Sequence, residues 1–345
     1  MTDSTVAKAE ARSVRKRGVV WIHRTVIIFC LGLLVWYASR LEWSSVLSSV
    51  SRAKLWFVAA TVPLVLVNMM LRAFRWRTLL GSRREAPFRS VFSAQMIGYL
   101  ANNVLPVRAG DLVRVYALGN AVDISRSRIL STVVLERLLD MGMVVFLLIV
   151  VTAFGPLPDW IRIGGTGAGI STVLALAVLL AVSATRRETA ERIVDRVPAI
   201  SPAIKDRMKF WMSEFSSGFS GIRDPRIAAL FFGATIVIWA TEMMLVLLVG
   251  KAFLIPLGFV DAAILMLFSL FSSFIPALPG QIGLFELAMV TGLDFAGHAG
   301  PSSLPFALTL HAVLLSGTTI IGLVCLVASG WSIGFVRRLA EGKPL

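Results

Sequence analysis

Residues 267–290 read LFSLFSSFIPALPGQIGLFELAMV, and this stretch decides the fold class. It is apolar enough to lie within a bilayer, yet Pro276, Pro279, Gly280 and Gly283 interrupt it near its centre. Helix breakers at membrane depth are tolerated only where the backbone is buried in protein or lines a cavity. The segment therefore predicts a re-entrant hairpin of two short helices within a helical membrane protein, with a full crossing of the bilayer as the alternative.

A second broken segment occurs earlier in the chain. Residues 90–106 read SVFSAQMIGYLANNVLP, with breaks at Pro106 and Gly110. Both segments carry the pattern L-P-x-x-x-G, at 105–110 and 278–283. The alternative is a chance match in a Leu-rich chain. The equivalent place of the two patterns favours an internal repeat instead.

The composition of the chain supports a membrane location. Hydrophobic residues make up 57% of the 345 positions and charged residues 16%, with a mean hydropathy of +0.80. Soluble domains have about half apolar and about a quarter charged residues, so an ordinary cytosolic enzyme is excluded, and so is disorder. The apolar runs are continuous, which argues against a membrane β-barrel. Cys30 and Cys325 lie in apolar runs and indicate no metal or cofactor site.

The net charge of +14 has a topological interpretation. In a soluble protein this charge would suggest nucleic acid, but here the basic residues cluster between apolar runs, so no nucleic-acid partner is expected. With two re-entrant hairpins and both termini cytoplasmic, five of the 34 Lys and Arg residues remain in outer loops. This asymmetry follows the positive-inside rule of a cytoplasmic (inner) membrane.

Six further apolar segments are long enough to span a bilayer, which takes about 20 residues. They are residues 21–38, 55–71, 133–154, 164–184, 228–250 and 304–329. The fold class predicted is therefore an all-α polytopic membrane protein with eight hydrophobic segments. Each half of the chain has the order span, span, hairpin, span, and the halves have opposite orientation. Such inverted repeats are a transporter architecture.

The domain organisation follows from these segments. A cytoplasmic basic tail at 1–20 precedes a single membrane domain at 21–335, and a cytoplasmic tail follows at 336–345. The first repeat covers 21–154 and the second 164–329. Within the second, 186–226 has an amphipathic pattern typical of a helix on the inner membrane surface or beneath the bundle.

Polar residues concentrate in the first broken segment, where a lipid headgroup could bind. They are Asn102, Asn103, Arg108, Asp111 and Arg114. The two amides offer donors and acceptors to a headgroup; the alternative is that they cap the broken backbone. The two arginines have snorkelling at the cytoplasmic face as their alternative. For Asp111 the alternative to headgroup binding is a stabilising charge at a helix N-terminus or an ion pair with a neighbouring arginine.

Carboxylates at membrane depth form a second set of candidates, because such charges are costly in a bilayer. Glu136 and Asp140 share one helix face, with Arg137 a turn from Asp140, and predict a buried network facing the first hairpin. A structural ion pair is the alternative. Glu242 lies alone in a span, so it should face the bundle interior. Glu286 should lie in the first turn of the returning half-helix of the second hairpin.

Arginines at the end of the second span complete the candidate set. Arg72, Arg75 and Arg77 cluster guanidinium groups suited to phosphate, with the positive-inside rule as the alternative. His298 and His311 are isolated and predict an interface or a packed polar contact. The sequence has no phosphate-binding loop of the Walker type, no H-E-x-x-H and no G-x-S-x-G, so neither ATPase nor other enzyme activity is expected.

Three motifs together resemble a known family. They are residues 99–111 (YLANNVLPVRAGD), the pair Glu136-Arg137, and residues 276–286 (PALPGQIGLFE). The set resembles the flippase-like membrane domain of lysylphosphatidylglycerol synthases and its stand-alone relatives, the UPF0104-type integral membrane proteins, over about residues 20–335. That family often has Glu at the position of Asp111 and Gly at that of Gln281. Asp shortens the reach of the carboxylate, and Gln281 adds bulk and an amide.

The resemblance implies translocation of an anionic or aminoacylated phospholipid, or of a polyprenyl-linked lipid, without lipid synthesis by this chain. We expect a phosphate-containing headgroup as the ligand, and a second copy of the chain or a separate lipid-synthesising enzyme as protein partners. The candidate substrate-binding residues are Arg72, Arg75, Asn102, Asn103, Arg108, Asp111, Arg114, Glu136, Arg137, Glu242, Gln281 and Glu286. Rival hypotheses are a membrane enzyme using Glu136 and Asp140 on lipid headgroups, an accessory subunit of a lipid pathway, and a small-solute transporter.

Overall fold

The structure, a computed structural model, describes residues 43–81, 85–105, 109–154, 224–273, 275 and 279–331, with a few positions between 159 and 209. Every regular element in these ranges is helical, which confirms the all-α class. The predicted span 21–38 lies outside the described residues. Most of 164–184 and of the loop 186–226 lies outside them as well.

Between residues 43 and 154 and between 224 and 331, the described residues form nine α-helices and one short 3₁₀ turn. The helices are α1 (Trp43–Ser51), α2 (Leu55–Leu80), α3 (Phe88–Val104), α4 (Gly110–Ala121), α5 (Arg126–Phe154), α6 (Pro225–Ala252), α7 (Phe259–Ser272), α8 (Leu284–Phe295) and α9 (Ser303–Ala328). The 3₁₀ turn, Pro279–Gln281, lies between α7 and α8.

Three of these helices, α2, α6 and α9, have the length and apolar composition to cross a membrane. At 1.5 Å per residue, 26 residues reach about 39 Å, which exceeds the ~30 Å hydrocarbon core. Helices α2 and α6 contain the predicted spans 55–71 and 228–250, and α9 covers all but the last residue of 304–329. Many of their apolar side chains point outward, including Ile236 (63% exposed) and Val327 (74% exposed), as expected of surfaces that face lipid. A multi-pass membrane protein is supported.

Each broken segment folds as a pair of short helices. The second helix of each pair, α4 or α8, has 12 residues, or about 18 Å, which is shorter than the bilayer core. Contacts of Asn102 with Gly110 and of Gln95 with Arg114 show that α3 and α4 run antiparallel. Glycine permits this closeness, because a Cβ on Gly110 would overlap the carbonyl oxygen of Gly98.

The helix contacts follow a two-fold pattern between the halves of the chain. The described part of the first half has a long helix, two short helices and a long helix (α2–α5), and the second half repeats this order (α6–α9). The first long helices, α2 and α6, pack on each other. The first short helix of each half packs on the last long helix of the other, since α3 contacts α9 and α7 contacts α5.

Candidate functional site

A buried charged cluster joins both halves around Arg75. This side chain is 0% exposed and extends from α2 toward two carboxylates of α5. It donates to Glu136 Oε1 at 2.7 Å and forms a bidentate contact with Asp140 at 2.6 and 3.1 Å. Its Nη1 also donates to Thr235 Oγ1 of α6 at 3.2 Å. Helix α2 continues past the predicted span 55–71 to Leu80, and buried carboxylates neutralise Arg75 in this extension.

Arg114, on α4, extends the same cluster into the first helix pair. It is 2% exposed and donates to Glu136 Oε2 at 3.0 Å and to Gln95 Oε1 at 2.9 Å. Its guanidinium lies 4.8 Å from the ring centroid of Trp76, a cation–π contact. Glu136 therefore bridges two arginines with one oxygen each, and the buried network lies against the α3–α4 pair, on the side where the sequence predicted it.

Asp111 balances the remaining charge of this cluster. It lies 3.1 Å from Arg114 Nε and accepts from Arg137 Nε and Nη2 at 2.9 and 2.8 Å. The expected neighbour of Arg137 was Asp140, but Asp140 is already held by Arg75. Three arginines thus face three carboxylates. The side chains of Arg137 and Asp111 are 45% and 37% exposed, whereas an unpaired charge among the buried Arg75, Arg114 and Glu136 would be strongly destabilising.

A cavity of about 310 Å³ lies between the halves. Its wall is mostly apolar, with contributions from α2, α3, α6, α7, α8 and α9. The polar side chains that line it are Asn68, Arg72, Tyr99, Glu242, Ser269 and Thr318. The volume is at the lower end of the ~300–1,000 Å³ typical of small-ligand sites, so a headgroup-sized ligand fits.

Arg72 and Glu242 form the charged centre of this cavity. Their side chains make an ion pair and are 19% and 28% exposed, so both remain partly accessible. Glu242 faces the bundle interior, as predicted for a glutamate without a partner in its own span, and the packing of α2 against α6 brings Arg72 to it. Asn68 orients the pair, because its Oδ1 accepts from Arg72 Nε at 3.0 Å while its Nδ2 donates to Thr241 Oγ1 at 2.7 Å.

The second break is a tight turn next to the same cavity. Gly280, Gln281 and Gly283 have φ of +68°, +61° and +89°. For Gln281 this left-handed conformation is strained, at a cost of order 1–3 kcal/mol. Glu286 lies in the first turn of α8, as predicted, and its Oε2 accepts from the Gly283 amide at 2.7 Å. Its Oε1 lies 2.6 Å from His311 Nδ1, which makes His311 a packed polar contact.

The side-chain amides of Asn102 and Asn103 form hydrogen bonds that stabilise the first break. Asn102 Oδ1 accepts from the Gly110 amide at 2.8 Å, and this contact starts α4. Asn103 Nδ2 donates to Thr318 and Thr319 of α9 at 2.8 and 3.0 Å. These contacts are those of backbone capping and helix packing, and a headgroup-binding role for both amides stays a prediction. Pro106, Arg108 and Pro276 lie outside the described residues.

Sequence reasoning made no prediction for two side chains that orient the candidates, Asn68 and Gln95, and predicted His311 only as an interface or packed polar contact without a named partner. Asn68, Gln95 and His311 all hydrogen-bond to predicted residues. For Asn68 a signal existed, because a lone amide four residues before Arg72 in an apolar helix shares its face. His311 gave no such signal, because its partner is 25 residues away in sequence.

Comparison with known proteins places this architecture in a family. Residues 21–322 match the family described as the lysylphosphatidylglycerol synthase TM region. The chain belongs to this family. Glycosyltransferase AglD of Haloferax volcanii is 26% identical over 86% of this chain and 52% of its own length. This chain thus spans about half of AglD.

Shorter relatives are matched over most of their length. Two UPF0104 membrane proteins of Methanothermobacter thermautotrophicus are 25% and 24% identical. The matches cover 76% and 88% of this chain and 79% and 91% of those proteins. No solved structure matches the chain. The family and these relatives support a membrane protein related to lipid-modifying proteins.

Proposed function

We propose that this chain moves a phospholipid or related lipid between the leaflets of the cytoplasmic membrane. The observation that carries the proposal is the cavity between the halves, whose wall is apolar except for a few polar side chains around Arg72 and Glu242. An apolar wall with one charged centre suits an amphiphile whose headgroup enters the cavity. The acyl chains would stay in the bilayer.

The architecture supports the same proposal. In our interpretation the pairs α3–α4 and α7–α8 are re-entrant hairpins that enter from opposite sides, with both termini cytoplasmic. The two-fold contact pattern between α2–α5 and α6–α9 fits two inverted repeats. Rocking of one repeat against the other would open the cavity alternately to each leaflet.

Arg72 and Glu242 have the central role in this mechanism. A phosphate-bearing headgroup would draw Arg72 from Glu242, because a guanidinium binds phosphate in a bidentate manner. The freed carboxylate of Glu242 would then face any cationic group of the lipid. Arg75, Arg114 and Glu136 would act one layer away, by fixing the first hairpin against α2 and α5.

A role connected with glycosyl transfer is a second candidate, favoured by the name of AglD. In that case the transported lipid would carry a sugar on a polyprenyl phosphate, and a separate enzyme would make or use it. Direct catalysis by Glu136 and Asp140 is less favoured, because Arg75 and Arg114 already occupy both carboxylates.

The test is leaflet exchange of fluorescent lipids in proteoliposomes, read by chemical quenching from outside. One probe is a labelled phosphatidylglycerol and the other a labelled polyprenyl phosphate. Wild type should exchange at least one probe faster than protein-free vesicles, and R72Q and E242Q should both slow it about tenfold or more, if each loses a charged hydrogen bond of ~1.5–3 kcal/mol. E85Q is the matched control, because Glu85 lies outside the cavity lining. Exchange of neither probe by wild type would overturn the proposal.

A further inference from the structure

His311 is held between two hydrogen-bond acceptors. Its Nδ1 lies 2.6 Å from Glu286 Oε1, and its Nε2 lies 2.8 Å from the carbonyl oxygen of Gly280. Both side chains are buried, with His311 7% and Glu286 5% exposed. A neutral imidazole has one N–H and therefore can donate to only one of two acceptors.

This geometry requires one additional proton on the pair. The proton resides on His311 as an imidazolium or on Glu286 as a carboxylic acid, and in both cases it lies between Oε1 and Nδ1. The other carboxylate oxygen, Glu286 Oε2, does not hold this proton, since it already accepts from the Gly283 amide. When the proton leaves, one of the two contacts of the ring changes from a hydrogen bond into a repulsion between lone pairs.

Both contacts hold the turn at the second break. His311 binds the carbonyl of Gly280, and Glu286 binds the amide of Gly283, so the pair clasps the turn at both ends. Within the turn Gln281 has φ +61°, and its buried Nε2 has no hydrogen-bond partner among the described residues. The turn is therefore strained and depends on the clasp, and it packs against α3 of the other half.

Other ionisable groups do not share this proton in the described structure. The elements packed against α8 and α9 carry Arg72, Arg75, Arg77, Arg89, Tyr99, Arg226, Glu242, Lys251, Asp261 and Asp294. Among the described side chains, Arg72 pairs with Glu242, Arg75 binds the carboxylates of α5, and Asp261 contacts His298. The hydrogen bonds of His311 and Glu286 go to each other and to the turn backbone.

We propose that Glu286 and His311 form a proton-binding site that couples protonation to the conformation of the Pro279–Gly283 turn, so that lipid movement depends on proton binding. The coupling to lipid movement rests on the proposed function, whereas the proton-dependent turn does not. The two short contacts of His311 in the structure match the proton-loaded state of the turn. Release of the proton as the pH rises breaks one of the two hydrogen bonds of His311 and frees the turn, which lies at the interface between the halves.

The turn is tested without any transport measurement. Ile282, which is 45% exposed, is replaced by cysteine in a chain whose Cys30 and Cys325 are changed to serine, and a nitroxide spin label is attached. Its mobility should increase as the pH is raised, over a transition of single-proton width, in which the ratio of deprotonated to protonated pairs changes about tenfold per pH unit. The same label in H311Q should show no pH dependence, because Gln does not titrate.

A matched control exists in the same chain. His298 also contacts a carboxylate, Asp261 at 3.2 Å, but neither atom belongs to the turn. H298Q should keep the pH profile of the label. The proposal would be overturned if the label mobility did not depend on pH in the chain with intact His311 and His298. It would also be overturned if H298Q removed the pH dependence of the label and H311Q kept it. The first outcome does not require H311Q to fold.

Transport provides the second arm, with equal pH on both sides of the vesicles. Lipid exchange should vary with pH in wild type and H298Q and be pH-independent in H311Q and E286Q. Exchange that is fast at every pH in wild type would overturn the proton coupling and leave the proposed function standing. A pH-dependent turn without any lipid exchange would instead overturn the proposed function and keep the proton site.

Discussion

Replacing Glu136 by Gln isolates the contribution of one carboxylate that serves two buried arginines. Glu136 is 1% exposed and accepts from Arg75 with Oε1 and from Arg114 with Oε2. Gln keeps the size of the side chain but presents one oxygen and one NH₂ group. One arginine therefore keeps its acceptor, while the other meets a donor and loses its charge balance.

The expected cost is that of breaking a buried ion pair, about 3–5 kcal/mol. Arg75 retains Asp140 and Arg114 retains Asp111, so the lower part of that range is expected. At roughly 2–4 °C per kcal/mol for a large chain, a loss of about 3–4 kcal/mol should lower the melting temperature by about 6–16 °C. The double variant E136Q/R114M removes one negative and one positive charge. It should recover part of this loss, because the arginine that lost its acceptor is itself removed and Arg75 can keep the remaining oxygen of Gln.

The assay is thermal unfolding of purified protein in one detergent, followed by tryptophan fluorescence. E85Q is the control, since the Glu85–Arg128 pair is 3.9 Å apart and its side chains are 49% and 31% exposed, and a surface pair contributes about 0–1 kcal/mol. Equal melting temperatures for E136Q and E85Q would refute the claim that the cluster is a buried, charge-balanced support. So would a double variant less stable than E136Q alone.

Two further predictions concern packing and topology. G110A should destabilise the protein by about 1–3 kcal/mol, because its methyl group would meet the Gly98 carbonyl and lie 2.6 Å from Asn102. In contrast, the methyl group of G142A on α5 meets no atom within 4 Å, and this variant should stabilise the protein by about 1 kcal/mol. Paired denaturation curves measure both changes, and equal shifts would contradict the close approach of α3 and α4. In intact cells, a cysteine near Gly155 should react with an impermeant thiol reagent and one near Ser201 should not, and the reverse pattern would contradict the proposed topology and inverted repeats.

The elements of the fold that follow from local pattern could be predicted. Three long apolar runs became α2, α6 and α9, and the Pro and Gly residues of 267–290 marked the break between α7 and α8. These features depend on composition and on helix breakers within about 20 residues. The end of α2 could not be predicted in this way, because Arg75 looks like the end of a span until its buried carboxylates are known.

The partners of the candidate residues depend on tertiary packing and were mostly missed. Arg72 finds Glu242 at a sequence separation of 170, and Asn103 finds Thr318 at 215. Neither distance leaves a periodic signal in one sequence. Sequence reasoning could identify Glu286 as a half-helix residue, because that depends on the preceding glycines, but it could not place His311 beside it.

The packing of α3, in the first half of the chain, on α9, at the end of the second half, has a consequence for biosynthesis. The polar side chain of Asn103 finds its hydroxyl partners only on α9, after 215 further residues have been made. At about 5–20 residues per second, translation needs roughly 10–40 s to supply them. During this time α3 must keep an amide in or near lipid without its final hydrogen bonds. The first half of the chain therefore completes its fold only after the second has been inserted, which makes the nascent first half a natural client for a membrane insertase or chaperone.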